Sequence, residues 1–367
     1  MALLRCAVLV VLCVFHSALA TVVADADYGG VPLWINRLLG EPSVISLHGR
    51  MDRAWFRANN PQACPQQCDC PIQWPTAVYC DHRGLAEVPD SLPDRTQYLF
   101  LQGNNISSLS SSFLANITGL RWLILDHNQL QSNKLDQDAA LQNQTQLYNF
   151  FANHNHLSSV PSMLPAGLKQ LRLAHNQISS INPEAFQNLH NLTLLLLQGN
   201  RLQTISEGDL KGLASLNLLD LSGNLFSSVP RNLPPTIQQL YLSNNSLSGL
   251  DEDSFVGFLN LKYLRLSHCG LKSGGVHWGV FNFSSLVELD LSYNKLTTIP
   301  TVPTTLQYLY LEANEIREFN MTSFCREVGP LSYSRMKILR LDGNKMFYHQ
   351  LPFDWVYCLR VLESIYI

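Results

Sequence analysis

Charge is scarce in this chain. Only 14% of its 367 residues are Asp, Glu, Lys or Arg, and the formal net charge is -3 at pH 7. A nucleic-acid-binding domain gathers Lys and Arg on one face, and no such footprint is present, so nucleic acid is excluded as a partner. Long apolar runs are scarce as well. Beyond the first twenty residues, no stretch approaches the roughly twenty apolar residues that a spanning helix needs, and membrane insertion is not expected. The first twenty, MALLRCAVLVVLCVFHSALA, hold one early Arg, a short apolar run and the small residues Ala18 and Ala20 at their end. That pattern reads as a secretory signal peptide over 1–20, and the mature chain is expected outside the cell, where disulfides persist.

Residues 21–63 lack both repeat and alternation and are read as a disordered N-terminal tail. They also lack the Ser-Gly pairs that chondroitin attachment uses. Within them Tyr28 stands beside Asp25 and Asp27, the acidic setting of tyrosine sulfation. Nine cysteines become seven once Cys6 and Cys13 leave with the signal. Cys64, Cys68, Cys70 and Cys80 cluster, Cys325 and Cys358 lie near the end, and Cys269 is left over. A zinc site is the rival reading of the cluster; a secreted chain favours disulfides.

What the chain has in abundance is leucine in one pattern. L-x-x-L-x-L-x-x-N-x-L recurs as LRWLILDHNQL, LKQLRLAHNQI, LTLLLLQGNRL, LNLLDLSGNLF, IQQLYLSNNSL, LVELDLSYNKL, LQYLYLEANEI and MKILRLDGNKM, with looser copies between and before them. This is the leucine-rich repeat, the signature of a solenoid. Each unit contributes a short strand to a parallel sheet: leucines two apart point inward, and the residues between them point to the concave face. Asn104, Asn128, Asn155, Asn176, Asn200, Asn224, Asn245, Asn294, Asn314 and Asn344 share the slot where the chain turns off the strand. Their amides are expected to satisfy buried backbone groups in a continuous ladder. Cys269 occupies the same slot and is read as a buried structural thiol. The ladder steps by 24, 27, 21, 24, 24, 21, 24, 25, 20 and 30 residues, so the convex side should be irregular, built of polyproline, short-strand and 3₁₀ pieces. The step of 30 holds Cys325 and reads as an extended loop. The resulting division is a cysteine cap over 64–95 and about twelve repeats over 96–367, an α/β repeat solenoid with a parallel concave sheet, capped at both ends because a solenoid cannot bury its terminal units.

The cysteine spacing C-x3-C-x-C-x9-C, the long penultimate repeat with its own cysteine, and the segments CPQQCDCPIQWPTAVYCDHRGL, GPLSYSRMKILRLDGN and CLRVLESIYI resemble the class II small leucine-rich proteoglycans. The resemblance covers about 64–367. It implies disulfides Cys64–Cys70, Cys68–Cys80 and Cys325–Cys358, with Cys269 reduced. It implies a core protein of the extracellular matrix that binds fibrillar collagen, regulates fibril assembly and spacing, and carries N-linked keratan sulfate. The tail departs from members that carry a run of tyrosines, since Tyr28 is alone. N-x-S/T sequons fall at Asn105, Asn116, Asn143, Asn191, Asn244, Asn282 and Asn320. Of these, Asn116, Asn191 and Asn282 resemble the family's substituted positions.

On the concave face the outward positions include Tyr98, Phe100, Trp122, Ile124, Asp126, Phe151 and Arg172. Tyr263, Arg265, Glu288, Asp290, Tyr308, Tyr310, Glu312, Arg340 and Asp342 follow toward the C-terminus. Exposed aromatics with Arg anchors read as a binding surface. Arg265, Glu288, Tyr308, Tyr310, Glu312 and Arg340 are the candidate collagen-binding residues, because they carry both signs of charge and stacking area. Burial of the same face in a homodimer is the competing reading, and a growth-factor- or receptor-binding repeat protein is the competing function. His127, His154 and His175 precede the ladder Asn in three consecutive repeats. Zinc or pH sensing is one reading of them and a tolerated turn position the other. His268 beside Cys269 imitates a Cys–His nucleophile, but the ladder slot faces inward. No interrupted repeat or inserted domain builds a deep pocket, so no enzyme, no metal and no cofactor are expected.

Overall fold

In the computed structural model the chain divides into two units, Met1–Asn60 and Pro61–Ile367. The structure describes residues 64–71, 73–137, 139–329 and 332–367. The signal peptide, the tail and Tyr28 lie outside the described residues.

Thirteen three-residue strands form one parallel sheet in strict chain order. They are β1 Ala77–Tyr79, β2 Tyr98–Phe100, β3 Trp122–Ile124, β4 Asn149–Phe151, β5 Gln170–Arg172, β6 Leu194–Leu196 and β7 Leu218–Asp220. The sheet continues through β8 Gln239–Tyr241, β9 Tyr263–Arg265, β10 Glu288–Asp290, β11 Tyr308–Tyr310, β12 Ile338–Arg340 and β13 Ser364–Tyr366. The central residue of every strand pairs with the central residue of the next, as in Leu219↔Leu240 and Leu240↔Leu264. Those central leucines are fully buried, and each contributes about 1.5–3 kcal/mol by leaving water. One strand, β1, was not legible as a repeat, because it belongs to the cap. There Asp69 and Tyr79 exchange both backbone hydrogen bonds, at 2.8 and 2.9 Å, as a short antiparallel hairpin over the end of the core.

The ladder amides bridge each coil to the one before. Asn294 Oδ1 accepts from the N–H groups of Cys269 and Leu271 at 3.0 Å each, and its Nδ2 donates to Leu266 O at 2.8 Å and Leu291 O at 3.0 Å. Asn104 does the same against the cap, donating to Cys80 O at 2.9 Å. Where Cys269 stands in for Asn, its thiol donates to Leu242 O at 3.2 Å. The residue before the slot is left-handed in every repeat that carries one, either as Gly (Gly103, Gly199, Gly223, Gly343) or as a strained non-glycine such as His127, Asn244 or Tyr293.

Longer repeats leave room for helical turns on the convex side. Short α-helical turns α1 (Ser111–Leu114), α2 (Ser132–Gln137) and α3 (Pro183–Phe186) fall in units of 24 or 27 residues, and the 20- and 21-residue units hold none. These α turns add to the expected 3₁₀ and short-bridge pieces, since three or four extra residues are enough for one helical turn outside the core. A fourth, α4 (Trp355–Cys358), carries Cys358. The disulfides are Cys64–Cys70, Cys68–Cys80 and Cys325–Cys358, and Cys269 is a buried free thiol.

A candidate interaction surface

Successive strands about 4.8 Å apart bring equivalent outward side chains into rows along the sheet. From β8 to β13 the third strand position reads Tyr241, Arg265, Asp290, Tyr310, Arg340, Tyr366, each paired with the next. The first position contributes Tyr263, Glu288 and Tyr308. Arg265, Glu288, Tyr308, Tyr310, Glu312 and Arg340 are all half-exposed and share this one surface.

The charges hold one another in place. Arg265 Nε donates to Glu288 Oε1 at 3.2 Å, while its guanidinium lies over the Tyr241 ring at 4.5 Å. Arg340 forks onto Asp342 at 3.0 and 2.8 Å, reaches Glu312 Oε1 at 3.5 Å, and covers Tyr366 at 5.6 Å. Burial alone would pull Arg265 down, but Tyr241 and Glu288 outweigh it and raise its pKa above the ordinary value. Burial pushes the Tyr241 hydroxyl up to about 12. Burial also raises Glu312, with a backbone N–H and Arg340 pulling the other way. The hydrogen bond from Arg340 lowers Asp342. Both guanidinium groups are thus permanently charged and fixed in a plane by a ring on one side and a carboxylate at the edge. Tyr366 went unread in the sequence because the last repeat is truncated; extending the register of the preceding repeats by one unit would have found it.

The N-terminal half of the face differs from expectation. Phe100, Trp122, Ile124 and Phe151 are buried, not exposed. Phe100 stacks on Tyr79 at 4.5 Å, Trp122 lies 5.6 Å from Tyr98 and 6.4 Å from Phe151, and Arg172 covers Phe151 at 4.2 Å. Asp126 is buried too, its Oδ1 accepting from Asn153 N–H at 2.8 Å, and it braces the coil. The three histidines do meet: His127 and His154 stack at 4.2 Å, and His154 and His175 at 4.4 Å. No group of three or more His, Cys, Asp or Glu side chains that could hold a metal ion occurs among the described residues. All seven sequon asparagines are exposed.

A parallel solenoid with cysteine caps, an amide ladder and a charged concave sheet defines a leucine-rich repeat protein of the secreted, disulfide-capped type. Family models agree: Leucine rich repeat matches residues 166–226, 231–271 and 285–304, and Leucine rich repeat N-terminal domain matches 63–93. Lumican from Homo sapiens is 44% identical over 303 residues, covering 82% of this chain and 88% of its own length. Fibromodulin from Bos taurus is 43% identical over 307 residues, covering 84% and 81%. Among solved structures, a chain from the octameric complex of Latrophilin 3, Unc5D and FLRT2 superposes with a TM-score of 0.65 at 26% identity, over 82% of this chain and 83% of that one. The chain belongs to the small leucine-rich proteoglycans, in the class II group of lumican and fibromodulin, and is a protein of the extracellular matrix.

Proposed function

We propose that the protein binds fibrillar collagen through the C-terminal half of its concave sheet and limits the lateral growth of fibrils. The observation that carries this reading is the row Tyr241, Arg265, Asp290, Tyr310, Arg340, Tyr366, in which both arginines are already paired to carboxylates and lie over the rings of Tyr241 and Tyr366. A collagen triple helix is a stiff rod with charged and apolar side chains repeating along a solvated polyproline surface. Thirteen strands at about 4.8 Å spacing give a sheet of roughly 58 Å, long enough to meet such a rod at many points in register. Side chains held in place before binding lose little entropy on contact, so many weak contacts can add to a useful affinity. A bound protein occupies sites that an incoming collagen molecule would need. No turnover and no cofactor enter this mechanism.

Sugars on Asn116, Asn191 and Asn282 are part of the same proposal. Sulfated polylactosamine chains there would hold neighbouring fibrils apart by charge and hydrated volume. Peptide masses before and after enzymatic removal of N-glycans read the occupancy directly. The domain limits proposed for this chain are the cap over 64–95 and the repeats over 96–367.

The second reading is a ligand for growth factors or cell-surface receptors. It is favoured by the likeness to a chain of the Latrophilin 3, Unc5D and FLRT2 complex. Turbidity and co-sedimentation with collagen fibrils separate the two, because a receptor ligand leaves both unchanged.

A further inference from the structure

Away from the concave sheet, three segments from successive coils (residues 282–284, 301–305, and 322–327 with 332–333) enclose a cleft of about 670 Å³. That size is within the roughly 300–1,000 Å³ of ligand-binding pockets. Its walls are rich in hydroxyls: Ser284, Thr304, Thr322 and Tyr333 all line it, together with Arg326. The Arg326 guanidinium lies over the ring of Trp278 at 5.9 Å, and Trp278 is 64% exposed. Trp278 itself does not line the cleft but borders it through Arg326, so a largely exposed indole and a hydroxyl-lined cleft adjoin, the combination that sugar rings bind: the apolar face of a pyranose packs on the aromatic, and its hydroxyls exchange hydrogen bonds with Ser, Thr and Tyr. The far wall is rigid. Cys325 is tied to Cys358, and the buried Phe324 stacks on Phe319 at 5.3 Å.

Asn282 itself lines this cleft, and Ser284, the third residue of its sequon, lines it too. A glycan attached there starts inside the cleft. We propose that the cleft is a carbohydrate-binding site whose ligand is the first two N-acetylglucosamine units of the chain's own Asn282 glycan, held against its hydroxyl-bearing walls at the end bordered by Arg326 and Trp278. This rests on Asn282 being occupied, as proposed above. The docked sugars join the coil of β10 to the extended loop before β12, and the rest of the glycan leaves from a fixed point in a fixed direction.

The test is the rate at which a peptide N-glycosidase releases each glycan from the native secreted protein, followed by peptide mass at Asn282, Asn116 and Asn191. Clasped sugars must leave the cleft before the enzyme can reach the amide linkage. Release at Asn282 should be about tenfold slower than at Asn116 in the native protein, the equivalent of a contact of about 1.4 kcal/mol. The difference should vanish after denaturation. Trp278→Ala, at an exposed side chain that the core does not need, should bring native release at Asn282 up to the Asn116 rate. Arg326→Ala, the second variant, should move it in the same direction. Equal native rates at the two sites, slow release that Trp278→Ala leaves unchanged, or an unmodified Asn282 would each overturn the proposal. None of these outcomes bears on collagen, whose assay is separate.

Discussion

The Arg265 Nε donates to Glu288 Oε1 at 3.2 Å across two adjacent strands, and the same guanidinium lies over Tyr241 at 4.5 Å. Arg265 is therefore presented as a flat cation of fixed orientation, and Glu288 is the residue that fixes it. Arg265→Ala should weaken collagen binding about tenfold, as anchors of this kind do. Glu288→Ala should weaken it less, and the double variant should be no worse than Arg265→Ala alone, because Glu288 acts through Arg265. Co-sedimentation isotherms measure all three. Additive losses would mean that the two residues contact collagen independently.

The ladder makes a second prediction. Asn294→Ala removes the acceptor for the Cys269 and Leu271 N–H groups and the donor to Leu266 O, all buried. Leaving them unpartnered should cost about 2–4 kcal/mol, seen as a lower midpoint in thermal denaturation. Asn294→Cys should cost less, because the thiol of Cys269 already serves the same slot by donating to Leu242 O.

Cys269 should be silent until the protein unfolds. Burial pushes its thiol up to about 11, so at neutral pH it carries almost no thiolate and offers no surface to a reagent. Alkylation without reductant should label nothing in the native protein and Cys269 alone after unfolding. A label on any cap cysteine, or Cys269 found in a disulfide, would contradict the pairing described here.

Glu312 and Asp342 flank Arg340 but should affect stability in opposite directions with pH. The hydrogen bond from Arg340 lowers Asp342 below 3.8, so its contribution is present above that value and is lost as pH falls through the lower folded pKa. Burial raises Glu312 above 4.5, so its contribution is full below 4.5 and is lost as pH rises through the higher folded pKa. Glu312→Gln should therefore be at least as stable as the wild type at neutral pH, and Asp342→Asn less stable. Thermal melts from about pH 2 to pH 7 decide it. A Glu312→Gln protein that is weaker at neutral pH would mean that pairing with Arg340 outweighs burial.

The repeat was fully legible because its physics is local. Leu289 and Leu291 two apart, followed by Asn294, can be satisfied only by a strand and a turn stacked on a neighbour of the same kind. The outward rows followed from the same register, so Arg265, Glu288 and Arg340 could be placed on one face from sequence. Their ring partners were harder to see. Tyr241 meets Arg265 from one coil earlier and Tyr366 meets Arg340 from one coil later, and spacing does not say which way a long side chain leans. The burial of Phe100 and Trp122 was missed because alternation marks a direction and not an accessibility. β1 was missed because Ala77–Tyr79 carries none of the repeat's leucines. The cleft at Asn282 is built by three segments from different coils, and the length of the 30-residue unit hinted at a loop without saying what it covers.

The central claim is that this face binds collagen and slows fibril growth. The most direct measurement is the turbidity of collagen during fibril formation, with the wild-type protein beside Arg265→Ala/Glu312→Ala/Arg340→Ala, after circular dichroism has shown both to be folded. The account predicts a slower rise and a lower plateau with the wild type, and a curve close to that of collagen alone with the triple variant. An unchanged curve with the wild type would contradict the function, and equal inhibition by both proteins would contradict the assignment of the surface.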